Sequence, residues 1–150
     1  MTNEELLEIG TADGALVALV SETGEVVWSA QKSPAGTIVK AMLANEVPDA
    51  YALVATQLGA ALSTVGKRLG VKRFACRQLS QPGRRFLEAA GVEFYAEEDI
   101  ELVKSSKDPS KVCPVEAALS EMETAEEMWA FLEKKFSSEE NPSCSVPWAK

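Results

Sequence analysis

The sequence predicts an α/β protein built on an open sheet of mostly parallel strands joined by crossover helices. Three observations carry this. Residues 15–20 read A-L-V-A-L-V, a continuous apolar run of the kind that fills a strand buried on both faces. Turn chemistry at Ser21-Glu22-Thr23-Gly24 separates that run from E-V-V-W-S-A at 25–30, so the two read as an antiparallel hairpin. From residue 33 to 95 helical patterns then alternate with short apolar runs, the signature of strand–helix–strand crossovers.

The elements follow in order. Glu4 to Gly10 is a short helix with Leu6, Leu7 and Ile9 as its apolar positions. Ala15–Val20 and Glu25–Ala30 form the hairpin. Ser33-Pro34 starts the next helix, with serine at the N-cap and proline at the first helical position. That helix carries Ile38, Met42 and Leu43 and ends before Pro48. Tyr51–Ala55 is a third buried strand. A helix follows from Thr56, with Leu58, Leu62, Val65 and Leu69 at helical spacing and Gly70 as its stop. Gly59 and Gly66 inside it each cost roughly 1 kcal/mol against alanine, which a close helix–sheet approach explains. Val71–Arg77 is the fourth strand. Ser80-Gln81-Pro82 opens a helix that ends at Gly91. Val92–Tyr95 is the fifth strand, Glu97-Glu98-Asp99 a solvated turn, and Ile100–Val103 a short sixth segment. Ser105–Lys111 is a loop. Pro114 begins a helix, and Thr124-Ala125-Glu126-Glu127 is a capping box for the last one, whose stripe of Met128, Trp129, Leu132 and Phe136 reads as core. Residues 1–136 make one domain, and 137–150 a loose polar tail in which Trp148 is the residue placed to dock.

Composition narrows the chemistry. The 150 residues contain no histidine, which removes Ser-His-Asp triads, Cys-His pairs and every His-ligated zinc or haem site. The net charge of −8 argues against general affinity for nucleic acid or an anionic membrane. Cys76, Cys113 and Cys144 are too few and too far apart for a disulfide framework. No basic leader precedes Glu4 and Glu5, and no run approaches the ~18 apolar residues of a membrane span. The expected setting is the cytoplasm, with reduced thiols.

The ordered segments D-G-A-L-V-A-L-V at 13–20, V-A-T-Q-L-G-A-A-L at 54–62, G-V-K-R-F at 70–74, E-A-A-G-V-E-F at 88–94 and C-P-V-E at 113–116 resemble a small prokaryotic family of uncharacterised proteins with a cytidine-deaminase-like fold. The resemblance spans roughly residues 5–120. It implies a three-layer sandwich: an N-terminal hairpin, mostly parallel strands, and helices on both faces. Zinc deaminases place H/C-x-E at one helix start and P-C-x-x-C at the next. Here those starts read Ser33-Pro34-Ala35-Gly36 and Ala55-Thr56-Gln57-Leu58-Gly59. They offer neither ligand nor catalytic glutamate, so the resemblance implies the scaffold without zinc, and no cofactor is expected.

Three candidate sites remain. Cys113 at an N-cap, with Glu116 at the third helical position, suits a nucleophile with an acid/base partner; plain helix capping explains the same residues. The segment 50–87 carries Lys67, Arg68, Lys72, Arg73, Arg77, Arg84 and Arg85 and no acid, +7 against −15 elsewhere. It suits a phosphate or nucleotide ligand, a contact with a second copy of this acidic chain, or an ordinary solvated face. Third, Ser33, Thr56, Gln57, Arg77 and Ser80 are expected around a crevice at the strand carboxyl ends, where helix N-termini attract anions. The leading expectation is a small anionic ligand such as a nucleotide, bound there by a zinc-free domain. The alternatives are an enzyme using Cys113 and a self-associating interaction module.

Overall fold

The computed structural model describes residues 1–105, 108 and 110–137. The expected tail, Cys144 and Trp148 among it, lies outside the described residues from 138 onward. Helix α1 (Asn3–Gly10) opens on a capping box in which the Thr2 hydroxyl accepts from the Glu5 N–H and the Glu5 carboxylate accepts from the Thr2 N–H. A 3₁₀ turn at Ala12–Gly14 leads into β1 (Val17–Val20), which is buried throughout, as its apolar run predicts. Then come β2 (Val26–Ala30), α2 (Pro34–Leu43), β3 (Ala52–Leu58), α3 (Ala60–Leu69), β4 (Arg73–Ser80), α4 (Gln81–Ala90), β5 (Glu93–Ile100), α5 (Pro114–Leu119) and α6 (Ala125–Ser137).

The strands form one five-stranded sheet in the order β2-β1-β3-β4-β5. β1 runs antiparallel to both β2 and β3, whereas β3, β4 and β5 are parallel. Alternation along the strands divides the core in two. Leu19, Leu53, Phe74 and Cys76 join a large cluster with residues of all the helices after α1, among them Ile38, Leu62, Leu87, Leu119 and Leu132. Val20, Ala52, Val54 and Ala75 form a smaller cluster with Leu6 and Leu7 of α1. The sheet therefore has α1 alone on one face and the other helices on the opposite one. The apolar stripe of α6 is buried in the larger cluster, which confirms its reading as core. At Gly66 a side chain would collide with the Phe74 ring, so that glycine sets the closeness of α3 to the sheet.

β4 spans Arg73–Ser80 instead of the expected Val71–Arg77, and two further boundaries and one cap differ from expectation. β3 runs on through Thr56, Gln57 and Leu58, because Gln57 and Leu58 keep pairing with Gln78 and Leu79 of β4. Helix α3 therefore starts at Ala60, not Thr56. Second, β5 continues through Glu97-Glu98-Asp99 to Ile100, absorbing both the expected turn and the start of the expected sixth segment. Register is the reason. Arg73 pairs with Glu93, Arg77 with Glu97 and Arg84 with Asp99, while the Gln78 amide donates to Glu98. Cross-strand pairs of opposite charge from β4, with Arg84 reaching over from α4, make an acid-rich segment acceptable as strand. Third, Ser33 occupies the N-cap of α2 in the left-handed region (φ 41°) and makes no side-chain capping bond. The hydroxyl of Thr37 instead donates to the Lys32 carbonyl.

Candidate functional site

A pocket enclosing about 120 Å³ opens beyond the carboxyl end of β3. Five segments distant in sequence build it: the start of α2 at 33–36, the β3–α3 junction at 57–62, residues 103–105, the start of α5 at 113–116, and Phe136 at the end of α6. Most of the wall is apolar. The polar side chains on it are Ser33, Gln57, Lys104, Ser105, Cys113 and Glu116.

Backbone pairing brings these segments together. Gln57 accepts a hydrogen bond from the Lys104 N–H at 2.9 Å through its side-chain oxygen. The Cys113 N–H donates to the Val103 carbonyl at 2.9 Å, and Lys104 and Val112 form an antiparallel bridge. Residues 103–105 are thus held between the end of β3 and the start of α5.

Glu116 is the central side chain of this assembly. It is only 2% exposed. One carboxylate oxygen accepts from the Ala60 N–H at 2.9 Å and the other from the Val103 N–H at 3.1 Å. Ala60 is the first residue of α3, so Glu116 caps a helix other than its own. The four leading N–H groups of a helix lack internal partners and carry partial positive charge, and a carboxylate satisfies both conditions. Gly59 makes the approach possible: a Cβ there would stand 2.5 Å from the Glu116 Oε1 atom and 2.5 Å from Val103 Cγ2.

The structure therefore gathers Ser33, Gln57, Cys113 and Glu116 on one pocket wall, although the sequence placed the first two and the last two in separate candidates. The others lie elsewhere. Thr56 sits within β3, its N–H bonded to the Leu16 carbonyl. Arg77 turns to the α1 side, pairing with Glu97 at 2.9 Å and donating to the Thr11 hydroxyl at 3.2 Å. Ser80 is fully buried and caps α4 by accepting from the Gly83 N–H. Cys113 stands at the N-cap of α5 without a side-chain capping bond. Gly59, Leu62, Val103 and Phe136 also line the pocket. In the sequence Leu62 and Phe136 read as core positions and Gly59 as a glycine kept for a close helix–sheet approach; the close approach at Gly59 is instead to Glu116 and Val103.

The basic segment is largely matched within the chain. Arg73 and Arg77 of β4 pair with β5, Arg84 of α4 pairs with Asp99 of β5, also reaches Glu88 and stacks over Phe94, and Arg68 lies 4.8 Å over the Trp129 ring. Lys67 and Arg85 line a second, wider groove of about 580 Å³ between α4 and the α5–α6 turn. That groove has no buried polar group on its wall; Glu116 gives the first pocket one. Cys76 is buried, and desolvation pushes its thiol up to about 12. It is inert core. Among the described residues no three Cys, Asp or Glu side chains gather as a metal site, and no helix is long and apolar enough to cross a membrane.

Fold and site together define an open-sheet α/β domain with a small pocket at the strand carboxyl ends. Residues 11–136 match the TM1506 family, a domain of unknown function also designated DUF1893, and the chain belongs to that family. The crystal structure of a DUF1893 family protein (TM1506) from Thermotoga maritima has the same fold, with a TM-score of 0.72 at 17% identity over 89% of this chain and 88% of that one. No curated protein matches the chain.

Proposed function

We propose that this protein is a small-molecule-binding domain on a cytidine-deaminase-like scaffold without catalytic zinc, and that the pocket beyond β3 is its binding site. The carrying observation is the convergence of five distant segments on one small, mostly apolar cavity with a few fixed polar groups, the usual anatomy of a ligand site. The sheet order, the antiparallel first pair and the helices on both faces support the scaffold. Ser33 and Gln57 keep their proposed ligand-facing role; Thr56, Arg77 and Ser80 act in strand pairing, ion pairing and helix capping. A phosphate or nucleotide would have to be held from the Ser33 and Lys104 side, since Glu116 already occupies the start of α3. The test is amide NMR of the full chain titrated with adenine, cytosine and their monophosphates. Shifts concentrated on Ser33, Gln57, Leu62 and Val103 are expected. Shifts confined to the groove of Phe86, Leu119 and Met122, or none at millimolar concentration, overturn the reading.

A second reading has its own observation: Cys113 shares the pocket wall with Glu116. In this reading Cys113 is a nucleophile facing the bound molecule. Glu116, with both oxygens engaged by amides, holds the wall in place. Alkylation of Cys113 by iodoacetamide at pH 7, no faster than for a model thiol, would remove it.

A further inference from the structure

We infer that the pocket selects its ligand by the hydrogen bonds the ligand donates: it takes a largely apolar, neutral or cationic molecule bearing an N–H donor, such as an amide, amidine or amino-heterocycle, and turns anions away. This deepens the proposed function and rests on it.

Glu116 carries the argument. An anion at the carboxyl end of a parallel strand ordinarily uses the N–H groups of the following helix. Here the leading amide of α3 already donates to Glu116, and Gly59, by lacking a Cβ, leaves the room that carboxylate needs. At the first amide of α3 the pocket wall thus presents a negative acceptor where an anion site would present a donor, and any anion reaching the following amides, at Ala61 and Leu62, meets the Glu116 charge beside them. Glu116 uses two hydrogen bonds, one on each oxygen, of the roughly four that an ionised carboxylate accepts. The remaining capacity is for donors alone. Most of the remaining wall, including Pro34, Ala61, Leu62 and Val115, is apolar, with Ser33, Gln57, Lys104, Ser105 and Cys113 as its other polar side chains. In such surroundings a second negative charge beside the carboxylate is repelled far more than in water. Lys104 is the cation on the wall, but it is exposed, so water screens it. A planar group that gives one or two N–H bonds to Glu116 and lays its apolar body against these side chains suits both the buried carboxylate and the apolar part of the wall.

The test uses four probes of one shape: benzamidine, benzamide, benzoate and phenyl phosphate, each titrated into the full chain and followed by amide NMR. Benzamidine and benzamide are expected to shift the Ala60 and Val103 resonances, the two amides that report on Glu116. Benzoate and phenyl phosphate are expected to bind at least about tenfold more weakly, the worth of roughly one charge-assisted hydrogen bond. Glu116→Gln should cut the benzamidine affinity by a similar factor while benzamide changes less. The four-probe ranking on the unaltered protein stands even if that variant folds poorly. If benzoate or phenyl phosphate shifts Ala60 and Val103 as strongly as benzamidine, the inference is overturned and the pocket reading survives. If no probe shifts the pocket resonances, both fail.

Discussion

Replacing Glu116 by alanine removes the acceptor shared by the start of α3 and residue 103. The magnitude follows from the geometry. Two backbone N–H groups lose a carboxylate partner at 2.9 and 3.1 Å, and a hydrogen bond to a charged group contributes about 1.5–3 kcal/mol. The sum is about 3–6 kcal/mol, but the pocket lets water reach the freed amides and offsets part of it. The expected loss is therefore about 3 kcal/mol, which in a domain of this size lowers Tm by about 6–12 °C. Urea unfolding followed by circular dichroism, on the unaltered protein and on Glu116→Ala and Glu116→Gln, measures it. The glutamine variant should fall between the other two, because its amide group accepts one N–H and turns a donor toward the second. A loss below about 1 kcal/mol for Glu116→Ala, the scale of an exposed ion pair, would refute the assignment of Glu116 as the cap of α3.

Two further outcomes follow from other positions. Ser80→Ala removes a buried N-cap that accepts from Gly83, so it should cost about 1–2 kcal/mol in the same assay; a neutral result would mean that α4 is held by packing alone. For Cys76 the sign is set by burial. The native thiol sits at about 12, while an unfolded one ionises near ~8.5, so the native state retains a proton that the unfolded chain releases. Its contribution is full below pH ~8.5 and is lost as pH rises toward 12, by up to about 1.4 kcal/mol per pH unit. The stability difference between the unaltered protein and Cys76→Ala should narrow from pH 8 to pH 10. A constant difference would contradict it.

Local patterning was enough for much of the architecture. The all-buried β1, the hairpin, the Ser80 cap and the α6 stripe are visible because each is written in adjacent residues. What escaped was non-local. Thr56-Gln57-Leu58 fits a helix by periodicity, yet β4 runs alongside and keeps it in strand register. Glu97-Glu98-Asp99 looks like a turn until Arg77, Gln78 and Arg84 are placed opposite. The same holds for the site. Cys113 and Glu116 stood out as a helix start, and Ser33 and Gln57 as strand-end residues, but nothing in the sequence says that they share a wall. Glu116 was expected to serve its own helix; α3 begins 56 residues earlier. Arg77 was legible as a cation, and its direction was not, because the face of a strand residue depends on register.

The bond from Ala60 to Glu116 also has a consequence in time. As a chain leaves the ribosome, every strand of the sheet, ending at Ile100, is synthesised before Glu116. The start of α3 is then served by water alone, and closing so long a loop is entropically slow. A nascent chain stalled before residue 116 could complete the sheet without acquiring the pocket. Ligand protection in such stalled chains should appear only once α5 has emerged, which makes binding competence a late event in the life of the molecule.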